Sequence, residues 1–205
     1  MCKMKSAIIM KDRIFIPDYD SHSDMLRELG IDDTRKNAET LFVRAELSPK
    51  DNDVFSPIDK WVFNVDQDIR PEWFVENYEK ERMVEAVKEW AKNRIHIGID
   101  GLEIDSGSNH YIKDCKNVKV CDSASISEVC GSASISYVCD SASISYVCGS
   151  AMIASSPYSR WKKKDALILS ENSTFKDNYE KVIYQSGDYK LVSVESGKQI
   201  GEKGR

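Results

Sequence analysis

Four nearly identical nine-residue units between 120 and 155 restrict this chain more than any other feature. Val120-Cys121-Asp122-Ser123-Ala124-Ser125-Ile126-Ser127-Glu128 is followed by three copies that begin at Val129, Val138 and Val147. Self-similarity at a fixed short period is the mark of a stacked array, in which each unit buries its apolar face only against its neighbours. Helix is a poor reading, because the segment is rich in Ser, Val and Ile and is broken by Gly131 and Gly149. A flexible linker has no reason to keep Val, Ala and Ile at fixed places in every copy.

In a strand Ala124 and Ile126 share one face, and Ser123, Ser125 and Ser127 share the other. Val129 breaks that alternation, so a corner is expected near Ser127-Glu128, with a second bend at the Cys-Asp or Cys-Gly pair. Nine residues cannot close a coil around a packed interior, but two copies can. The alternation Asp122, Gly131, Asp140, Gly149 independently points to a period of 18. The interior is then a ladder of Ala124, Ile126, Val129, Ala133, Ile135, Val138, Ala142, Ile144, Val147 and Ile153, with rows of Ser outside. Four copies give about two coils, too few to stand alone. Looser rungs are expected at Gly101–Ile104 and Tyr111–Val120. A cap is expected from Asp165–Leu169 and from a hairpin at Lys181–Val194 around Ser186-Gly187-Asp188.

The N-terminal half reads as β-β-α-β-β-α. Ser6–Met10 and Arg13–Ile16 flank a two-residue Lys11-Asp12 turn. Ser21 and Asp24 have capping-box spacing ahead of Met25, Leu26 and Leu29, and Gly30 suits the helix end. Leu41–Leu47 alternates with period two and is expected to pair with Lys60–Val65. Pro71 and Glu72 are expected to open an amphipathic helix, broken near Asn77. Phe74, Tyr78, Val84, Val87 and Ala91 would lie on its apolar face, with Glu79 and Arg82 opposite. The fold class is α+β: an antiparallel sheet with packed helices (1–98), a short β-solenoid of nine-residue repeats, two per coil (99–156), and a C-terminal capping β-hairpin with a frayed tail (157–205).

The net charge of −5 argues against direct nucleic-acid binding. No apolar run approaches the ~20 residues of a membrane span, and the apolar stretch Ala7–Met10 is too short for a secretory signal. A cytoplasmic protein is expected. Four of the six cysteines, Cys121, Cys130, Cys139 and Cys148, recur every nine residues, which is a repeat signature rather than a disulfide framework. They read as reduced packing residues, since zinc motifs usually set two cysteines two to four residues apart.

Asp18 to Asp24 places acids and His22 at alternate positions like the start of a calcium loop. However, Ser23 stands where such loops need Gly and Leu29 where they need Glu, so a polar turn capping a helix is the expectation. Asp66, Asp68 and Glu72 near a strand end could serve acid/base chemistry, but they read as solvated charges. His22, His96 and His110 sit in no recognised catalytic motif. The expectation is no cofactor, no metal and no catalytic residue. Tyr137 and Tyr146 hold the same repeat position, and Arg160-Trp161-Lys162-Lys163-Lys164 is basic with one aromatic. These seven are the candidate binding residues.

The repeats, together with Val65-Asp66-Gln67-Asp68 and Pro71-Glu72-Trp73-Phe74, resemble small proteins of bacteriophages and prophages that join an α/β head to a C-terminal short-repeat β-solenoid. The resemblance implies a phage or mobile-element origin and a non-enzymatic factor that inhibits a host or defence protein, of the anti-CRISPR or anti-restriction kind. The alternatives are an assembly protein that self-associates into homo-oligomers through the solenoid, and an enzyme sited in the head.

Overall fold

The computed structural model describes residues 4–156, 168–169, 173–178, 182–185, 189–193 and 199–203. The chain divides into two compact units, Met1–Asn93 and Arg94–Arg205.

In the first unit β1 (Lys5–Met10) and β2 (Ile14–Phe15) form the hairpin, with Ile9 opposite Ile14. Met10 N–H donates to Arg13 O at 2.8 Å across the Lys11-Asp12 turn. Helix α1 (His22–Glu28) starts where the Ser21 side chain accepts from Asp24 N–H at 3.3 Å. That bond satisfies one of the helix's orphan donors. Gly30 follows the helix with φ of +67°, the left-handed geometry that glycine adopts without strain. A one-turn helix, α2 (Arg35–Ala38), leads into β3 (Phe42–Ser48), which pairs antiparallel with β1 and with β4 (Val62–Val65). The sheet order is β2-β1-β3-β4. Ile8, Met10 and Phe42 on one face pack with Met25, Leu26 and Ala38 from the helices.

Helix α3 (Glu76–Lys92) packs against β1 and β2. It is unbroken and begins at Glu76, not at Pro71. Residues Pro71–Phe74 form a turn closed by Phe74 N–H to Pro71 O at 3.0 Å. Trp73 pins that turn by donating its indole N–H to Thr40 O at 2.8 Å. The buried face also differs from expectation. Glu79 is 2% exposed and Tyr78 60% exposed. Residues 79, 83, 87 and 91 lie four apart on the side turned inward, so Met83 fills the core. Glu79 is tolerated there because Arg82 Nη1 lies 2.7 Å from its carboxylate and also reaches Met10 O at 3.4 Å. Burial pushes the Glu79 carboxyl up, and Arg82 partly offsets this.

The second unit is a β-solenoid of about four turns in residues 95–176. Its strands are β5 (Ile95–Ile97), β6 (Glu103–Ile104), β7 (His110–Lys113), β8 (Val118–Val120), β9 (Ser125–Cys130), β10 (Ser134–Val138), β11 (Ser143–Val147), β12 (Met152–Ala154), β13 (Ile168–Leu169) and β14 (Thr174–Asp177). Successive strands alternate between two parallel sheets, β13-β11-β9-β7-β5 and β14-β12-β10-β8-β6. Coil length is not constant. Ile95 pairs with Tyr111, 16 residues on; Ser125 pairs with Ser143, 18 on; Tyr146 pairs with Ile168, 22 on. The step from 16 to 18 is absorbed by register shifts at His110/Tyr111 and at Ile135/Tyr137. The second sheet continues antiparallel through β15 (Val182–Gln185), β16 (Tyr189–Ser193) and β17 (Gln199–Lys203).

One buried cluster runs through the coils. It contains Ala124, Ile126, Val129, Ala133, Ile135, Val138, Ala142, Ile144, Val147 and Ile153, and it extends to Ile104, Ile112, Val118 and Phe175. Two boundaries shift from the sequence reading. Ile95–Ile97 already pairs as a rung of the solenoid, so this unit starts before residue 99. Ile168–Leu169 is a parallel rung beside β11 rather than a cap, because its backbone continues that sheet.

Candidate functional site

The bends that bring strands into register determine what the solenoid presents. Asp122, Gly131, Asp140 and Gly149 all take positive φ, between 50° and 66°. On the Gly side the rungs approach too closely for a side chain. A Cβ at Gly149 would lie 2.8 Å from Gly131 O and 2.9 Å from Gly131 N, and one at Gly131 would lie 2.3 Å from Asp114 Oδ1. Asp114 fills that space to bind Ser132, accepting from its N–H at 2.7 Å and from its hydroxyl at 3.1 Å. Those bonds hold the Asp114 carboxyl below its ordinary range.

The serines tie coil to coil. Ser143 Oγ donates to Ser125 Oγ at 3.0 Å and Ser136 Oγ to Val118 O at 3.2 Å. Tyr146 on β11 lies beside Glu128, whose other neighbour is Tyr111, so one sheet carries the row Tyr111, Glu128, Tyr146. Tyr137 on β10 belongs to the other sheet, in the row Glu103, Lys119, Tyr137, where Lys119 Nζ lies 2.5 Å from Glu103. The two tyrosines therefore occupy different faces. Arg160, Trp161, Lys162, Lys163 and Lys164 lie outside the described residues.

All five described cysteines are free thiols. Four of them stack in two columns, Cys121 with Cys139 and Cys130 with Cys148, and Cys115 lies in the buried core. Burial pushes the Cys130 thiol up to about 12, with Cys148 and Glu128 adding to the effect, and it also pushes Cys139 up. Thiols so placed stay protonated at neutral pH and behave as small apolar groups. Glu128, Cys130 and Cys148 nevertheless bring their ligand atoms within 4.8 Å of one another, a grouping that nine-residue spacing hides. His96 and His110, on β5 and β7, stack with ring centroids 5.5 Å apart. His96 Nε2 lies 3.2 Å from His110 Nδ1, and His110 Nε2 lies 3.0 Å from Ser106 O. Burial first, then the charges of His110 and Arg94, lowers His96 to about 4.

In the first unit the Asp18–Asp24 stretch does not form a calcium loop, because its acids are engaged elsewhere. Trp90 Nε1 donates to Asp18 at 3.3 Å, and Asp20 pairs with the buried Lys5 at 2.8 Å. His22 from this stretch instead meets Asp66 from the acidic strand end, Nδ1 to Oδ2 3.1 Å. With Glu46 of β3 they form a group whose ligand atoms all lie within 4.8 Å of one another. Sequence spacing gave no sign of this, since the three residues come from separate elements. Among the described residues no helix is long and apolar enough to cross a membrane. Comparisons with family models, curated proteins and solved structures gave no match for the chain.

Proposed function

We propose that the protein is a non-enzymatic protein-binding factor, encoded by a phage or mobile element, that inhibits a host or defence protein in the host cytoplasm. The solenoid serves as its contact scaffold. The observation that carries this reading is the row Tyr111, Glu128, Tyr146, held at fixed register by parallel pairing and braced by coil-to-coil serine bonds. Tyrosines beside serines combine rigid amphipathic area with adaptable hydrogen bonding, the chemistry of protein-recognition surfaces. We take each coil of the repeat region as two nine-residue copies, β15–β17 as the cap, and Arg160 to Lys164 as part of the binding surface.

The test is affinity capture from host lysate with the intact protein and with Tyr146→Ala, Tyr137→Ala and an Arg160–Lys164 alanine variant. One stoichiometric host protein, lost at least tenfold with Tyr146→Ala while melting is unchanged, supports the reading. Capture that is indifferent to all three variants removes the solenoid surface as the contact. Self-association is the second reading, favoured by Ile97 and Ile99, which are exposed at the first coil. It requires a native mass that rises with concentration and falls with Ile97→Lys.

A further inference from the structure

We infer that His22, Glu46 and Asp66 form a binding site for a divalent metal ion of the zinc class, with the Ser6 hydroxyl facing the same site. Each residue reaches it from a different element: His22 from the first turn of α1, Glu46 from β3, Asp66 from the end of β4 and Ser6 from β1. Ser6 lies directly opposite Glu46 in the β1–β3 ladder, so both side chains stand on one face of the sheet. The ligand atoms of His22, Glu46 and Asp66 lie within 4.8 Å of one another. Tetrahedral zinc with bonds near 2.1 Å needs ligand atoms about 3.4 Å apart, so the side chains would close in by rotation on binding.

Two independent observations point to a cation. The first is the setting of His22. Its Nε2 lies 3.3 Å from Ala45 O and its Nδ1 lies 3.1 Å from Asp66 Oδ2, so one ring nitrogen is anchored on a backbone carbonyl and the other is held among carboxylates. A backbone carbonyl fixing one ring nitrogen while the other binds metal is the usual outer-shell arrangement of histidine ligands. The second observation is Ser6. It is fully buried and its backbone N–H donates to Asp20 Oδ1 at 3.2 Å, yet its hydroxyl oxygen has no hydrogen-bond partner. A buried hydroxyl left without a partner is costly, and an ion beside Glu46, or a water bound to it, would supply one. The ion pair between His22 and Asp66 on its own leaves the Ser6 hydroxyl unanswered.

The donor set selects the ion. One imidazole with two carboxylates and a hydroxyl is too rich in nitrogen for calcium or magnesium, which favour all-oxygen shells. It is too hard for copper(I), which favours thiolates. The thiol group of the second unit is the internal competitor, and the experiment separates the two.

Chelator-stripped full-length protein is titrated with Zn2+ by calorimetry, alongside His22→Ala, Asp66→Asn and a Cys130→Ser/Cys148→Ser double variant. Cobalt(II) spectra are recorded on each. The expected result is one Zn2+ bound by the wild type and by the double-serine variant, weakened at least tenfold in His22→Ala and Asp66→Asn. The cobalt spectrum should lack thiolate charge-transfer bands. Asp66 is largely exposed, so Asp66→Asn keeps the test valid if His22→Ala fails to fold. Affinity unchanged in the head variants, binding lost in the double-serine variant, or no zinc binding by folded wild type would each overturn the site.

Discussion

The two units solve the same problem, burying apolar area, by opposite means. In the solenoid one packing solution is used again and again. Ile126 lies beside Ile144, and Ile135 lies between Val118 and Ile153. In the head every contact is made once. Buried Lys5 needs Asp20, Tyr19 O and the face of Trp90, and buried Glu79 needs Arg82. A repeated solution leaves its outer side chains under weak constraint, so that surface is free to vary for binding. A one-off solution can draw unlike groups from distant segments to a point, as His22, Glu46 and Asp66 are drawn, which is what a site requires.

Substitutions that act on one unit alone test this contrast. The largest effect is expected from Ile135→Asp, which places an unpaired charge in the shared core and costs on the order of 4 kcal/mol or more. In a Trp161→Phe background the remaining tryptophans, Trp61, Trp73 and Trp90, report the head alone. Their melting should stay unchanged while hydrogen exchange in β9–β12 accelerates. Loss of both together would show that the units do not fold independently, and loss of neither would break the solenoid packing.

Acid should separate the units next. His96 folds with a pKa of about 4 against an ordinary 6.5, so between those values the unfolded chain binds the extra proton. The solenoid is then fully stable above pH 6.5 and loses stability as pH falls toward 4, by at most about 3 kcal/mol. His96→Leu should flatten that slope in urea unfolding followed across pH. In the head the sign reverses, because burial raises Glu79 above 4.5 and protonating it in the folded state favours folding. Parallel slopes in both units would contradict these burial arguments.

Smaller effects sharpen the comparison. Gly149→Ala meets Gly131 backbone and strains a left-handed residue, with an expected loss of about 2 kcal/mol seen by chemical denaturation. Asp140→Gly, at the equivalent bend of the roomier side, should change stability little. Ser21→Ala removes the α1 cap and should lower head stability by about 1 kcal/mol without affecting solenoid exchange.

The repeats themselves were legible because period, parity and bend residues all agree: Ala124, Ile126 and Val129 had only one way to face inward together. The head's strands and α1 were legible from alternation and from the Ser21 cap. The start of α3 was not, because Trp73 reaches across to Thr40 O, a contact with no local signal. Nor was the burial of Glu79, since a carboxylate on a helix reads as outward until its partner Arg82 and the strand it packs beside are placed. The 16-residue early coils were also illegible, because they lack the repeat that announces the later ones.

What the sequence determined by itself is therefore the stacked β architecture of 120–155 and its buried Ala, Ile and Val columns, because identical neighbours impose identical packing and the pattern is written into every copy. The same 18-residue period places Tyr146 on the Glu128 side and Tyr137 on the other, as the two sheets bear out. The tertiary structure alone decided that thiols pair in two columns, and that His22, Glu46 and Asp66 meet. Those juxtapositions depend on chain segments tens of residues apart being brought into register, and no local preference of any single residue encodes that.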